Sequence, residues 1–449
     1  MNDAAADVSM DAGAAKTREV SVRDLLRITN FRWLWLGQLI SDFGDAITQL
    51  TLVLLINRVT GGSTSAIANL LIALALPHAT VGLVAGVFVD RWDRKRVMIV
   101  SDLLRGILVL AFILVGVHTD GGDNRLWLLY TIAFLLSAVG VFFTPARSAI
   151  IPNVVPQEGL LAANTLSQTS MVGVRVVGTA AAGVLVGVLG VFGPAFVIDA
   201  ITYFVSMLLI SRIALAPKAE RLEKVAEPVA RSGAAETRAI LREMRSGFTL
   251  IAGSRILVGT LVAIAVTMLG LGAVNVLMAP MVVNDLSVSE TWFGAIEFAQ
   301  VAGMVLSGAL VTVLAARLKP THIVSAGLMG LALGVGLLAT IQTVWHLFPL
   351  LFFVGLLVTP TNSAISTLIQ TEVQDEARGR ISAAAGAIVQ VASLLSMFAA
   401  GGLAALIGVR MVFVVGGLIT LLAGMLSAWI FRGYMPKPEL ETALALQEA

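Results

Sequence analysis

Gln38, Asp42, Asp45 and Gln49 stand at i, i+4, i+7 and i+11 of one apolar stretch, so a helix there carries a single polar stripe. The stretch covers 33–56 and is long enough to cross the roughly 30 Å hydrocarbon core of a bilayer. Asp45 then lies about 17 Å from either end of the span. Carboxylates at that depth are costly and imply a function. Two of them three residues apart on one face repel when both are ionised. Asp42 and Asp45 are therefore candidates for proton uptake and release in a water-filled cavity, with hydrogen-bonded helix contacts as the structural alternative.

Other polar groups interrupt apolar stretches. Arg175 sits near the middle of 163–189, with Asn164 and Gln168 on its face. A cation there needs a carboxylate or an anionic ligand group, and Asp42 or Asp45 fit by depth. Asp199, in 194–213, is also a proton-coupling candidate, but by helix rise it is more than about 10 Å from Arg175 in depth. A structural ion pair and a substrate clamp both remain open for Arg175. Glu297, a further proton-coupling candidate with Gln300 one turn on, either lines an outer vestibule or meets solvent at the membrane edge. Asn275 and Gln390 read as helix-to-helix hydrogen-bonding groups that could also face a cavity.

The elements that must position these groups follow from composition. Hydrophobic residues make up 57% of 449, and the mean hydropathy is +0.92, which excludes a soluble globular protein. The net charge of +2 gives no argument for nucleic acid. There is no cysteine, so disulfides, thiolate metal sites and thiol nucleophiles are excluded. Of the four histidines (His78, His118, His322 and His346), none stands at i, i+4 from another, which argues against a histidine metal pair. No G-x-x-x-x-G-K-S/T run is present. Neither an enzyme nor an ATP-driven pump is expected, no cofactor is implied, and an ion gradient remains as the energy source.

Twelve stretches are long and apolar enough to span: 33–56, 66–89, 97–117, 126–151, 163–189, 194–213, 256–283, 292–316, 321–342, 345–369, 382–407 and 411–431. They are too long and too uniform for barrel strands. With both termini placed in the cytoplasm, 25 of the 30 cations fall on that side and three (Arg58, Arg125, Arg410) outside, a bias that fixes the orientation. The longest hydrophilic run, 214–255, divides the chain into six-helix halves at 31–213 and 256–431. Its later part puts Leu241, Met244, Phe248 and Ile251 on one face, as in an amphipathic helix lying on the inner membrane surface. Residues 1–30 read as a disordered cytoplasmic tail and 432–449 as a second cytoplasmic tail.

Between the second and third stretches lies Gly86-Val-Phe-Val-Asp90-Arg91-Trp-Asp93-Arg94-Lys95-Arg96. This G-x-x-x-D-R-x-x-R-K-R pattern resembles the signature loop of the major facilitator superfamily. Phe31-Arg-Trp-Leu-Trp-Leu-Gly37-Gln38, Phe143-Thr-Pro145 through Pro152, Ala195-Phe-Val-Ile-Asp199 and Arg378-Gly-Arg380 are similar to its drug-exporter-type branch, which includes macrolide, multidrug and siderophore exporters. Pro145-Ala-Arg-Ser-Ala-Ile recurs as Pro360-Thr-Asn-Ser-Ala-Ile, a weak repeat that suits a duplicated six-helix unit. The fifth stretch departs from the antiporter pattern, with Thr179 where proline is usual. Asp93 also replaces a common glycine of the loop.

The resemblance implies twelve transmembrane helices in two pseudo-symmetric halves, an all-α membrane protein. It implies that Asp90 meets the N-terminal end of the eleventh helix, near Ile381, and that Gly86, Asp90, Arg91, Arg94, Lys95 and Arg96 act in gating. Asp102 and Arg105 would join the same inner-face charge cluster. The expected function is proton-coupled (or sodium-coupled) efflux of a small amphipathic substrate by a monomer in the plasma membrane. A lipid or lysophospholipid flippase of the same fold is the alternative; a non-transporting receptor or assembly factor is a third reading.

Overall fold

A computed structural model describes residues 21–116, 125–214, 242, 245–373 and 375–432. Helices occupy nearly all of it, and no strand occurs among the described residues. A short helix, α1 (Val22–Arg27), precedes α2 (Thr29–Val59), α3 (Thr64–Thr80), α4 (Gly82–Arg91) and α5 (Arg94–Gly116). The first half continues through α6 (Leu126–Val154), α7 (Leu160–Leu189) and α8 (Gly193–Ser211). The second half holds α9 (Arg255–Pro280), α10 (Phe293–Arg317), α11 (Pro320–Leu338), α12 (Val344–Glu372), α13 (Asp375–Ile407) and α14 (Val409–Ile430).

Ten helices among the described residues are long and apolar enough to cross a membrane. Of the other two expected stretches, 292–316 is occupied by α10, a helix of 25 residues. The stretch 66–89 is divided between α3 and α4 at Val81. Pro77 lies one turn before that break and has no N–H to give to the carbonyl four residues back. Asp375 begins α13 six residues before the expected start near Ile381.

The first twenty residues lie outside the described set, but the expectation of disorder through residue 30 fails at its end. Ser21 and Asp24 form a reciprocal capping box, and the wholly buried Leu25 anchors α1 among Phe31, Leu34 and Ile213. The expected surface helix of 214–255 falls largely outside the described residues. Its described end, 245–252, is helical but docks on the second half through Gly247 and Ile251, while Phe248 stays exposed. A Cβ at Gly247 would strike the Arg380 carbonyl of α13, so the helix backbone lies directly against its neighbour.

Within each half, packing relies on small residues. The Gly44 backbone of α2 lies so close to Asp199 and Thr202 of α8 that a Cβ would overlap both side chains. That approach brings the stripe of α2 against α8.

Candidate functional site

The α2 stripe meets charge from α5 and α8. Arg105 of α5 donates from Nη2 to Asp102 Oδ1 at 2.5 Å and from Nη1 to Asp45 Oδ2 at 3.5 Å. Its guanidinium lies over the rings of Tyr203 (4.4 Å) and Phe143 (4.7 Å), an arrangement favourable to a cation. The Tyr203 hydroxyl donates to Asp45 Oδ1. Asp199, one turn before Tyr203, accepts from Thr48 Oγ1 at 2.5 Å. Asp102 and Asp199 are fully buried and Arg105 nearly so. The Asp45 side chain, by contrast, is 44% exposed. One guanidinium thus bridges an accessible carboxylate and a sealed one.

Asp45 opens into a cavity of about 310 Å³ lined also by Thr48, Gln49, His78, Arg105, Ser137 and Tyr203. The stripe therefore splits by depth: Gln49 and Asp45 face this cavity, whereas Gln38 is buried. Asp42 is partly buried and lies within the fields of Asp45, Arg147 and Arg105. Arg147, counted from sequence among the cytoplasmic cations, sits inside α6 with its Nε buried.

Two expectations about charge partners are corrected. Asp102 and Arg105 do not join the 91–96 turn; α5 carries them more than two turns inward, to Asp45. Arg175 does not face Asp42 or Asp45. Its Nε reaches Glu297 Oε1 of α10 at 3.2 Å, across the junction of the halves. The side chain points from α7 toward α10, because α2 packs on another face of α7: a Cβ at Gly178 would strike Phe43 and Ala46.

The Arg175–Glu297 pair belongs to a longer seam. Gly183 of α7 abuts the Glu290 backbone, and Gly294 of α10 abuts Ala180. Toward the Arg58 end of the bundle, Asn57 and Asn284 exchange hydrogen bonds (3.2 and 3.1 Å), and Arg58 pairs with Glu290 at 3.0 Å. A second seam joins α3 to α13: Thr64 Oγ1 donates to Gly401 O at 2.9 Å, and Gln390 Nε2 to Ala75 O at 3.3 Å. Gln390 thus bonds between helices, as expected. Asn275 is exposed on α9.

In the signature turn, Gly86 and Asp90 lie in α4, but their side chains are outside the described set, so the expected contact of Asp90 with α13 is too. Arg91 and Arg96 are exposed. Arg94 Nη1 donates to Ala149 O at 3.0 Å, and Lys95 Nζ donates to Ser211 O and Ile213 O at 2.6 and 2.8 Å. A cation at the C-terminal end of α8 satisfies carbonyls left without helix partners. Asp93 accepts from Arg96 N at 2.9 Å and so caps α5. Next to Lys95, Asn30 and Ala214 exchange hydrogen bonds of 2.7 and 3.0 Å.

Tyr203, Thr48 and His78 are the residues that the stripe alone does not find. Asp199 and Tyr203 at i, i+4 in an apolar span form a short polar stripe of their own, which is the signal that would have drawn attention to Tyr203.

A polytopic helical bundle with a charged, cavity-facing site defines a membrane transporter of the major facilitator superfamily. More narrowly, the chain belongs to the transmembrane secretion effector family, whose model matches residues 22–445. Macrolide efflux protein A of Streptococcus pyogenes is 25% identical over 384 residues, 85% of this chain and 90% of that protein. The putative bacilysin exporter BacE of Bacillus subtilis is 31% identical over 192 residues, 41% of this chain and 44% of that one. Among solved structures, the nucleoside transporter NupG superposes with a TM-score of 0.73 at 11% identity, covering 90% of this chain and 100% of that one. A bacterial homologue of the iron transporter ferroportin, in an inward-facing state, gives 0.69 at 16% identity, covering 91% and 98%. At such identities these likenesses establish the fold alone.

Proposed function

We propose that this chain is a proton-coupled exporter of amphipathic small molecules of drug, macrolide or siderophore type. It works in a bacterial plasma membrane with both termini cytoplasmic. The observation that carries this reading is the state of Asp45: it is bound by Tyr203 and Arg105, yet 44% exposed to a cavity. A carboxylate reached by water and paired with a cation that has a second carboxylate can exchange a proton. When Asp45 takes the proton, Arg105 loses one of its two anionic partners and rests on Asp102 alone. A change at one carboxylate thereby alters the attraction between α2 and α5, which is how ion binding can bias two conformations.

Efflux of drug-type molecules is supported by the likeness to macrolide efflux protein A. The cation bias of the sequence supports the orientation. The decisive experiment is uphill uptake of radiolabelled erythromycin by proteoliposomes under an imposed pH gradient, repeated with a sodium gradient alone. Asp45→Asn should exchange the macrolide down its gradient but fail to concentrate it. Wild-type accumulation by that variant would refute the coupling role, and accumulation driven by sodium alone would replace the proton.

A further inference from the structure

The cavity beside Asp45 holds a second group able to carry a proton. His78, on α3 one residue after Pro77, lines the same cavity as Asp45, Arg105 and Tyr203. Its Nδ1 is 3.3 Å from Ser137 Oγ of α6, and Ser137 Oγ is 2.6 Å from Leu74 O. A hydroxyl has one proton to give. The Leu74 carbonyl can only accept, so the Ser137 proton goes to it at the shorter distance. Nδ1 must then be the donor to Ser137 Oγ. That assignment puts the hydrogen of a neutral imidazole on Nδ1 and leaves the Nε2 lone pair free. It also suits the doubly protonated ring, because the chain Nδ1–H to Oγ–H to carbonyl is unchanged when Nε2 gains a proton.

We propose that His78 is the proton-delivery residue for Asp45, a relay within the cavity of the first half; this rests on the coupling role given to Asp45 above. A proton from solution binds Nε2. The Nε2–H bond then breaks toward cavity water, an O–H bond forms on the Asp45 carboxylate, and His78 returns to its neutral form. Charge is conserved: one cation and one carboxylate become two neutral side chains. A cavity of about 310 Å³ has room for several waters between the two groups, at roughly 30 Å³ each.

The groups facing His78 come from several helices. From α2 come Asp45 and the neutral Gln49, from α5 Arg105, from α6 Ser137 and Thr144, and from α8 Tyr203. On the other side, α13 brings neutral Gln390 to the Ala75 carbonyl of α3. Arg105 and Asp45 are the charged groups that line the cavity with His78. The break between α3 and α4 falls at Val81, three residues beyond His78.

Proton movement and erythromycin accumulation should be followed together in proteoliposomes carrying a pH-sensitive dye, from pH 5 to 8. His78→Gln keeps an N–H for Ser137 but cannot shuttle a proton. It should exchange erythromycin within about twofold of wild type, while proton-driven accumulation falls at least fivefold and loses its pH dependence. Ser137→Ala, which keeps the imidazole but removes the acceptor on Nδ1, should lower accumulation about two- to fivefold. Wild-type accumulation and pH profile in both variants, with Asp45→Asn inactive in uphill transport, would overturn the relay and leave the coupling role of Asp45 standing. Wild-type accumulation by Asp45→Asn would overturn both.

Discussion

The two halves share a helical plan but differ in what they bury. In the first half, Asp102, Arg105 and Asp199 are sealed between helices, and Asp45 joins them from the cavity. In the second half, the buried polar residues among those described are all serine and threonine, such as Thr267, Ser325, Thr361, Thr420 and Ser427. Several of these hydroxyls return to nearby carbonyls or to each other, as Thr420 does to Gly416 O and Ser325 to Ser427 at 2.9 Å. Buried charge is tolerated only when paired, and its pairing changes with protonation; hydroxyls within a helix have no such second state. Among the described residues, the first half alone buries charge, which is what the proposed coupling at Asp45 requires; the second half has a neutral interior, with Glu290 and Glu297 at its margin.

Removing Arg105 should break the comparison most severely. Arg105→Ala strands Asp102 in the interior, and loss of one partner of a buried pair costs about 3–5 kcal/mol. Detergent-solubilised protein should unfold at markedly lower temperature, and transport should vanish. Neutralising the whole group, as Arg105→Met with Asp45→Asn and Asp102→Asn, should restore much of the stability but none of the uphill transport. Recovery of transport in that triple variant would sink the assignment of ion handling to this half.

In the neutral half, the largest effect should come from shape. A Cβ at Gly270 of α9 would run into Thr420 and the Gly416 carbonyl of α14. Gly270→Val should therefore cost about 1–3 kcal/mol through overpacking, read as a lowered melting temperature. Its accumulation per folded molecule should keep the wild-type pH profile. Ser325→Ala should cost about 1 kcal/mol, since it deletes a single hydroxyl contact to Ser427, and a loss of coupling there would contradict the contrast drawn between the halves.

The smallest effect is expected where the halves touch. Arg175 is 63% exposed in its pair with Glu297, and solvent-screened pairs contribute about 0–1 kcal/mol. Arg175→Gln should change stability little. The exchange Arg175→Glu with Glu297→Arg should recover whatever transport rate either single change loses. Failure of that rescue would show that one of the two side chains meets substrate.

How far the sequence reached can be traced through these same residues. The α2 stripe was legible because helical period alone puts Gln38, Asp42, Asp45 and Gln49 on one face. Its partners were not, since Arg105 and Tyr203 lie about 60 and 158 positions away and only helix packing brings them together. The same limit explains Arg175: depth along a span is readable, but the rotation of α7 that turns it toward Glu297 is set by contacts of Gly178 and Gly183 with other helices. His78 has no second histidine at helical spacing to mark it; its partner is Ser137 of α6, which in turn bonds the Leu74 carbonyl. The 91–96 turn was read as a charge cluster. Asp93, which stands where a glycine is common, caps a helix.

The clasp formed by Lys95 and Asn30 around residues 211–214 has a mechanical consequence. It fixes one end of the leash between the halves, and the docking of Gly247 on α13 fixes the other. Covalent linkage between these two anchors keeps each half at an effective concentration on the order of millimolar around its neighbour. Weak seams suffice under that condition. A carrier that must part its halves in every cycle can hold them by contacts no stronger than those between Asn57 and Asn284, because the chain itself prevents escape.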